Sequence, residues 1–263
     1  MSLIHLGAWD LFLAASLVIL LAGLSFIMRL QLQQQIIISA CRTTIQLLLV
    51  GVVLKVLFEQ VNLLWVTVMA FIMLGVAGRE VMARQKRRFA GWWGYGLGTL
   101  SMFISSFATA LFALLVVIGT EPWYMPQYAI PLLGMMLGNT MNGVALALDR
   151  LTTSAWQQSA IIETRLSLGQ GWREAISEII HDSVRTGLLP IINAMAAAGI
   201  VSLPGMMTGQ ILSGTPPLEA VKYQILIMFM IAAGTGFATI IATWLGAKRL
   251  FDNRQRLCLQ RLT

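Results

Sequence analysis

Seven runs of mostly apolar residues follow one another along this chain, near 8–28, 36–58, 62–78, 94–119, 128–148, 186–204 and 219–247. Each approaches the roughly 20 residues that a helix needs to cross the hydrocarbon core of a bilayer, the third being the shortest. Apolar residues within the runs are continuous rather than alternating, which argues against a membrane barrel. An open sheet in lipid would leave backbone groups without partners. The expectation is an all-α, polytopic membrane protein with seven transmembrane helices. Composition agrees: of 263 residues 57% are hydrophobic and only 11% charged, against about 25% charged in a soluble domain. The first run lacks the basic start and small-x-small cleavage site of a signal peptide, and Arg29 ends it, so it reads as a mature helix.

Charge supplies an orientation. If the amino terminus is outside and the runs alternate, the cytoplasmic segments are 29–35, 79–93, 149–185 and 248–263. These hold fifteen of the eighteen Lys and Arg residues; Arg42, Lys55 and Lys222 lie inside or at the ends of runs. The opposite loops hold none, as the positive-inside rule requires for an odd number of spans with the amino terminus out and the carboxyl terminus in. The net charge of +7 sits in short clusters beside the runs. That pattern suits the anionic surface of a lipid bilayer and gives no support to a nucleic-acid partner. The two cysteines, Cys41 and Cys258, fall in a run and in the basic tail and imply no disulfide framework.

The chain has no phosphate loop, no H-E-x-x-H zinc motif (the only histidines are His5 and His181) and no G-x-S-x-G elbow. No catalytic role is expected. The most informative stretch is the segment 149–185, with E-T-R-L-S-L-G at Glu163–Gly169, then Gln170, Gly171 and W-R-E-A-I-S-E-I-I-H-D-S-V-R. Ile162, Leu166, Trp172, Ile176, Ile179, Ile180 and Val184 recur at helical spacing, with charges on the other face. Gly169 and Gly171 predict a tight turn between two short amphipathic helices. Such an element either lies on the headgroups or docks a soluble partner; its mixed charge favours docking, since a helix that binds only anionic lipid is mostly basic.

Glu163 and Gly169 reproduce the E-x-x-x-x-x-G spacing of the last large cytoplasmic loop of ABC transporter permeases, and the segment resembles their EAA-type coupling motif. Thr164 and Arg165 stand where that motif has two alanines, and Leu189-Pro190 falls later than its closing L-P pair. Longer segments are C-R-T-T-I-Q-L-L-L-V-G-V-V-L-K (41–55), I-P-L-L-G-M-M-L-G-N (130–139), R-L-S-L-G (165–169), G-I-V-S-L-P-G-M-M-T-G (199–209) and V-K-Y-Q-I (221–225). From about residue 36 to 250 the chain closely resembles the iron-export ABC permease family of bacteria, whose plant relatives are the aluminium-sensitivity proteins. The resemblance implies a single transmembrane permease domain over 1–263, in the plasma membrane (the inner membrane of a bacterium), working as a homodimer. It also implies a separate cytoplasmic ATPase that carries the ATP and Mg, no cofactor in this chain, and export of iron. Some plant relatives are connected with nucleotide sugars, so a different solute stays open. Together with the mixed charge of the segment 149–185, the resemblance makes Glu163, Arg165, Gly169 and Trp172 the residues expected to couple to the ATPase.

Polar groups within the runs are the candidates for a translocation pathway. Arg42 and Gln46 lie one turn apart on the second run; Arg42 either snorkels to the headgroups or lines the path. Asn139 and Asn142 share a face of the fifth, among Gly134, Gly138 and Gly143, and serve either helix packing or a polar stripe joined by Met135, Met136 and Met141. Pro204, Gly205, Met206 and Met207 close the sixth run, as a plain turn or an outer gate. An ion-gradient-driven transporter is the rival reading. It usually needs an acidic residue or histidine well inside a span, which these runs lack. A membrane anchor without transport would need no polar stripes.

Overall fold

A computed structural model describes residues 7–263; His5 and the amino-terminal residue 2, expected outside, fall outside the described residues. Helices account for about four-fifths of the described chain, and among those residues β contacts are limited to three isolated bridges. Six helices are long and apolar enough to cross a membrane: Trp9–Ile27, Gln33–Glu59, Leu63–Ala83, Trp92–Ile118, Pro126–Gln157 and Pro217–Arg249. The sixth expected run, 186–204, is the exception. The helix there spans Ser177–Ala197, starting before the run and stopping short of its end. Glu178, His181, Asp182, Arg185 and Asn193 dilute its apolar character, so it is long enough for a span but is not among the six.

The chain divides into two compact units. The first comprises the described residues through Val61 together with Leu212–Gly214. In it α1 (Ala8–Ile27) and α2 (Gln33–Glu59) form a helical hairpin. Arg29 and Gln31 take positive φ (54° and 57°) to reverse the chain. The Ser25 carbonyl accepts from the Leu30 N–H at 3.0 Å and the Ser25 hydroxyl from the Leu32 N–H at 3.3 Å, which satisfies two of the turn's amides.

The second unit holds everything else. After α3 (Leu63–Ala83), a continuous span is built from α4 (Trp92–Met102), a π-helical stretch Phe103–Phe107, α5 (Ala108–Phe112) and a second π stretch Ala113–Ile118. A π turn widens the helix and shifts the face its residues present. Here the Ser105 hydroxyl donates to the Gly234 carbonyl at 2.6 Å, and the Ser106 and Thr140 hydroxyls meet at 2.9 Å. Then come α6 (Pro126–Gln157), α7 (Ser159–Ser167), α8 (Trp172–Ala175), α9 (Ser177–Ala197), α10 (Gly205–Leu212) and α11 (Pro217–Arg249). The long helix α6 is central and packs on α3, α9 and α11.

Small residues set how closely these helices approach. A Cβ on Gly143 would lie 2.6 Å from Thr235 Cγ2 of α11 and 3.0 Å from the Gly187 carbonyl oxygen of α9. One on Gly187 would lie 2.6 Å from the Gly143 carbonyl oxygen. α6 and α9 therefore touch backbone to backbone. The same spacing at Gly134 places the Met73 methyl 3.1 Å away, whereas Gly138 has open space.

Candidate functional site

The segment 149–185 holds the expected turn at Gly169, but α6 runs on to Gln157 before α7 begins, and the second expected helix is split into the single turn α8 and the head of the long helix α9. α7 ends in a Schellman turn: the Gly169 N–H donates to the Leu166 carbonyl at 3.0 Å and the Gln170 N–H to the Arg165 carbonyl at 3.2 Å. Gly169 has φ of +90°, the left-handed conformation that a side chain resists. Gly171 does not share it; it sits at φ −68° and caps α8. Ile162, Ala175, Ile176 and Ile179 are buried beneath the element. At its tip Leu168 is 79% exposed, with Glu163 also on the surface.

Of the four residues assigned to coupling, two are tied to other parts of the unit. Arg165 pairs with Glu178 at 3.0 Å, pinning α7 to α9. The Trp172 N–H donates to Gln255 Oε1 at 3.1 Å, and its ring lies 5.7 Å from that of Phe251. Gly169 holds the turn. Glu163 instead faces an open recess of about 670 Å³ lined also by Leu166, Gln170, Arg254 and Arg256.

The other wall of that recess is the carboxyl-terminal tail, and here the sequence reading fell short. A basic tail was expected; the tail is folded. Asp252 Oδ1 accepts from the Arg254 and Arg256 N–H groups, both at 2.8 Å, and Oδ2 from Arg256 Nε at 2.9 Å. The backbone N–H of Arg256, foremost, together with its side chain and the Arg254 N–H, holds the Asp252 carboxyl below the usual carboxylate range, against some desolvation. Further on, Thr263 and Arg88 exchange N–H···O bonds of 2.8 and 3.0 Å, and the Ala90 N–H donates to the Arg261 carbonyl at 2.8 Å. The segment before α4 is thereby strapped to the tail. The local signal was present in Asp252-Asn253-Arg254, since an aspartate two residues before its amide partner is an Asx-turn pattern. The long-range pairing with residues 88–90 had no local signal.

The pathway candidates separate. Arg42 and Gln46 are exposed on α2 in the first unit; Asn139 and Asn142 are exposed on α6 in the second. The two asparagines do share a face but have different partners. Asn142 Oδ1 accepts from an Arg84 guanidinium nitrogen just after α3, while Asn139 Nδ2 donates to the Met135 carbonyl of its own helix at 2.8 Å. Pro204, Gly205, Met206 and Met207 do not end the sixth run, because α9 has stopped at Ala197. They open the separate helix α10, with the Pro204 carbonyl accepting from the Thr208 N–H at 3.1 Å. Met207 is buried, and just upstream Ile200 and Val201 are almost fully exposed. Among the described residues, no three His, Cys, Asp or Glu side chains converge on a metal-binding arrangement.

Long apolar helices, a glycine-mediated core and exposed apolar faces define a multi-pass α-helical membrane protein. The model of the family described as "Uncharacterised protein family (UPF0014)" matches residues 8–251, and the chain belongs to that family. It is similar to a UPF0014 membrane protein of Synechocystis, 40% identical over 232 residues and 87% of either chain. It is 32% identical over 259 residues to the "Probable iron export permease protein FetB" of Escherichia coli, covering 96% of this chain and 95% of that one. With the protein ALUMINUM SENSITIVE 3 of Arabidopsis thaliana it shares 33% identity over 245 residues, 93% of this chain and 88% of the relative. No solved structure matches it.

Proposed function

We propose that residues 1–263 form the permease subunit of an ABC transporter, a homodimer in the plasma (bacterial inner) membrane that exports iron with a separate ATPase. In this reading α9 supplies a seventh span, the amino terminus is outside, and residues 149–185 lie in the cytoplasm as the coupling segment. ATP and Mg are held by the partner, and the transported ion is cargo rather than a resident group. The similarity to a relative named as an iron export permease supports the substrate.

The observation that carries the reading is the α7–α8 turn. A leucine 79% exposed at the tip of a charged two-helix element has no role in the chain's own core. Beside it Glu163 is exposed, and Arg254 and Arg256 supply the opposite charge across the recess. A soluble cleft would receive Leu168 and pair with those charges. Behind the tip, the Arg165–Glu178 pair and the Trp172–Phe251 contact make the element rigid enough to transmit a push. Asn139, Asn142, Arg42 and Gln46 would then serve the pathway, and Pro204–Met207 an outer gate.

The test is Gly169→Val and Glu163→Arg in the full chain with its ATPase. A β-branched residue is strained at positive φ, so Gly169→Val distorts the turn. Both variants are expected to insert and dimerise, yet to co-purify less ATPase or to lose substrate-stimulated hydrolysis in proteoliposomes. Full assembly and wild-type coupled transport in both would remove the coupling role. Comparing iron with other metals and nucleotide sugars in the same assay decides the cargo.

A further inference from the structure

On one side of the second unit the start of α4, the end of α11 and the tail enclose a recess of about 940 Å³. Its floor is apolar: Gly96, Leu97, Leu100 and Leu245 lie within the spans. Trp92 and Trp93 stand at its mouth, and Trp92 is 87% exposed. Around them are the cations Lys248, Arg249 and Arg261. The Arg249 guanidinium lies 4.4 Å from the Trp93 ring centre, and the Lys248 ammonium 5.6 Å from that of Trp244. Arg261 uses one guanidinium nitrogen to donate to the Arg249 and Phe251 carbonyls, at 2.7 and 3.0 Å. Among the described residues none of these three cations forms an ion pair. The one carboxylate that lines the recess, Asp252, is held by Arg256 instead.

We infer that this recess binds an anionic phospholipid, its phosphate among Lys248, Arg249 and Arg261 and its acyl chains over Leu97, Leu100 and Leu245. Each part of the arrangement selects for that ligand. Three cations without carboxylate partners call for an anion. Indole rings at the end of a span belong at headgroup depth. An apolar floor continuing into the spans suits hydrocarbon, which a free phosphate lacks. A zwitterionic lipid would bring its own cation against three positive charges. The site is independent of the ATPase and of the cargo, and requires only that the chain sits in a membrane.

The full chain would be purified into nanodiscs of phosphatidylcholine with a minor fraction of phosphatidylglycerol, and retained lipid read by native mass spectrometry. Wild type is expected to retain phosphatidylglycerol selectively. Lys248→Gln with Arg249→Gln should cut that retention by on the order of tenfold. Gly96→Phe should do the same with every charge in place, because a Cβ at Gly96 meets nothing within 4 Å and the larger ring fills the recess. The charge-matched pair Arg185→Gln with Arg254→Gln, outside the recess, should retain lipid as wild type does. Equal retention of both lipids by wild type overturns the inference, as does equal loss in the charge-matched pair or unchanged retention in Gly96→Phe. Displacement of the lipid by excess inorganic phosphate would identify a free anion as the ligand and overturn it too.

Discussion

Asn142 and Asn139 stand three residues apart on one face of α6, yet only Asn142 reaches another element, through Arg84. Arg84 also lies 3.9 Å from Glu80, so it joins the end of α3 to the middle of α6. An exposed bond of this kind contributes at most about 1 kcal/mol. Asn142→Leu and Arg84→Gln should therefore each lower the thermal midpoint slightly and non-additively, and Asn139→Leu should leave it unchanged. If the asparagines line the pathway, both leucine variants lose transport beyond any loss of folded protein; a flux assay normalised to folded protein decides. The glycines give a sharper contrast. Gly187→Ala puts a methyl 2.6 Å from the Gly143 carbonyl oxygen, an overpacking that costs about 1–3 kcal/mol. Gly138→Ala meets open space. A clear fall in detergent melting temperature is expected for Gly187→Ala, with no change for Gly138→Ala.

Among the elements, the tail makes the most distinct prediction. Asp252 is lowered from its ordinary value of 3.8, so the stabilisation it lends the 252–256 turn is complete above that value. It is lost only as pH falls through the still lower folded value. Exchange protection at residues 252–256, corrected for intrinsic rate, should be flat from about pH 5 to 8 and weaken only in stronger acid. Asp252→Asn should reduce it throughout. Removing residues 259–263 should expose the Arg88 and Ala90 amides, which pair with Thr263 and Arg261; unchanged protection there would refute the strap. The α7–α8 hairpin was legible beforehand because its signals are local: apolar spacing of 3.6, then two glycines. α9 was misplaced because the run at 186–204 was bounded by hydropathy. The helix continues back through Glu178, His181 and Asp182, whose polar side chains are exposed while Ile179 and Ser183 on the same helix are buried. The π stretches at Phe103–Phe107 and Ala113–Ile118 left no mark that hydropathy reads.

At the scale of the whole molecule, charge asymmetry is the basis of the proposed orientation, with the amino terminus outside. Single cysteines at positions 2 and 260, in a background with Cys41 and Cys258 replaced, should label from opposite sides of intact cells; labelling from one side would mean an even number of spans. Helix number was nearly readable because lipid makes span length a physical requirement. The site was less so, because what joins its parts comes from distant segments: Gln255 to Trp172, Arg84 to Asn142. The crossing of Gly143 and Gly187 bears on how such a molecule could move. Ten residues separate Ser177 at the head of α9 from Gly187, about 15 Å along a helix at 1.5 Å per residue. Most helix pairs mesh side-chain ridges into grooves, and those ridges act as teeth that resist turning. Here two bare backbones meet, and the α6 side chain that presses on Gly187 is the small Ala147. Were α9 to turn on α6 at that point, a small displacement at Ser177 would emerge beyond the crossing as motion in the opposite sense, working against the Arg150–Asp182 and Arg165–Glu178 pairs that hold the near end. The two glycines would then be a fulcrum, and the segment from Ser177 to Gly187 its handle.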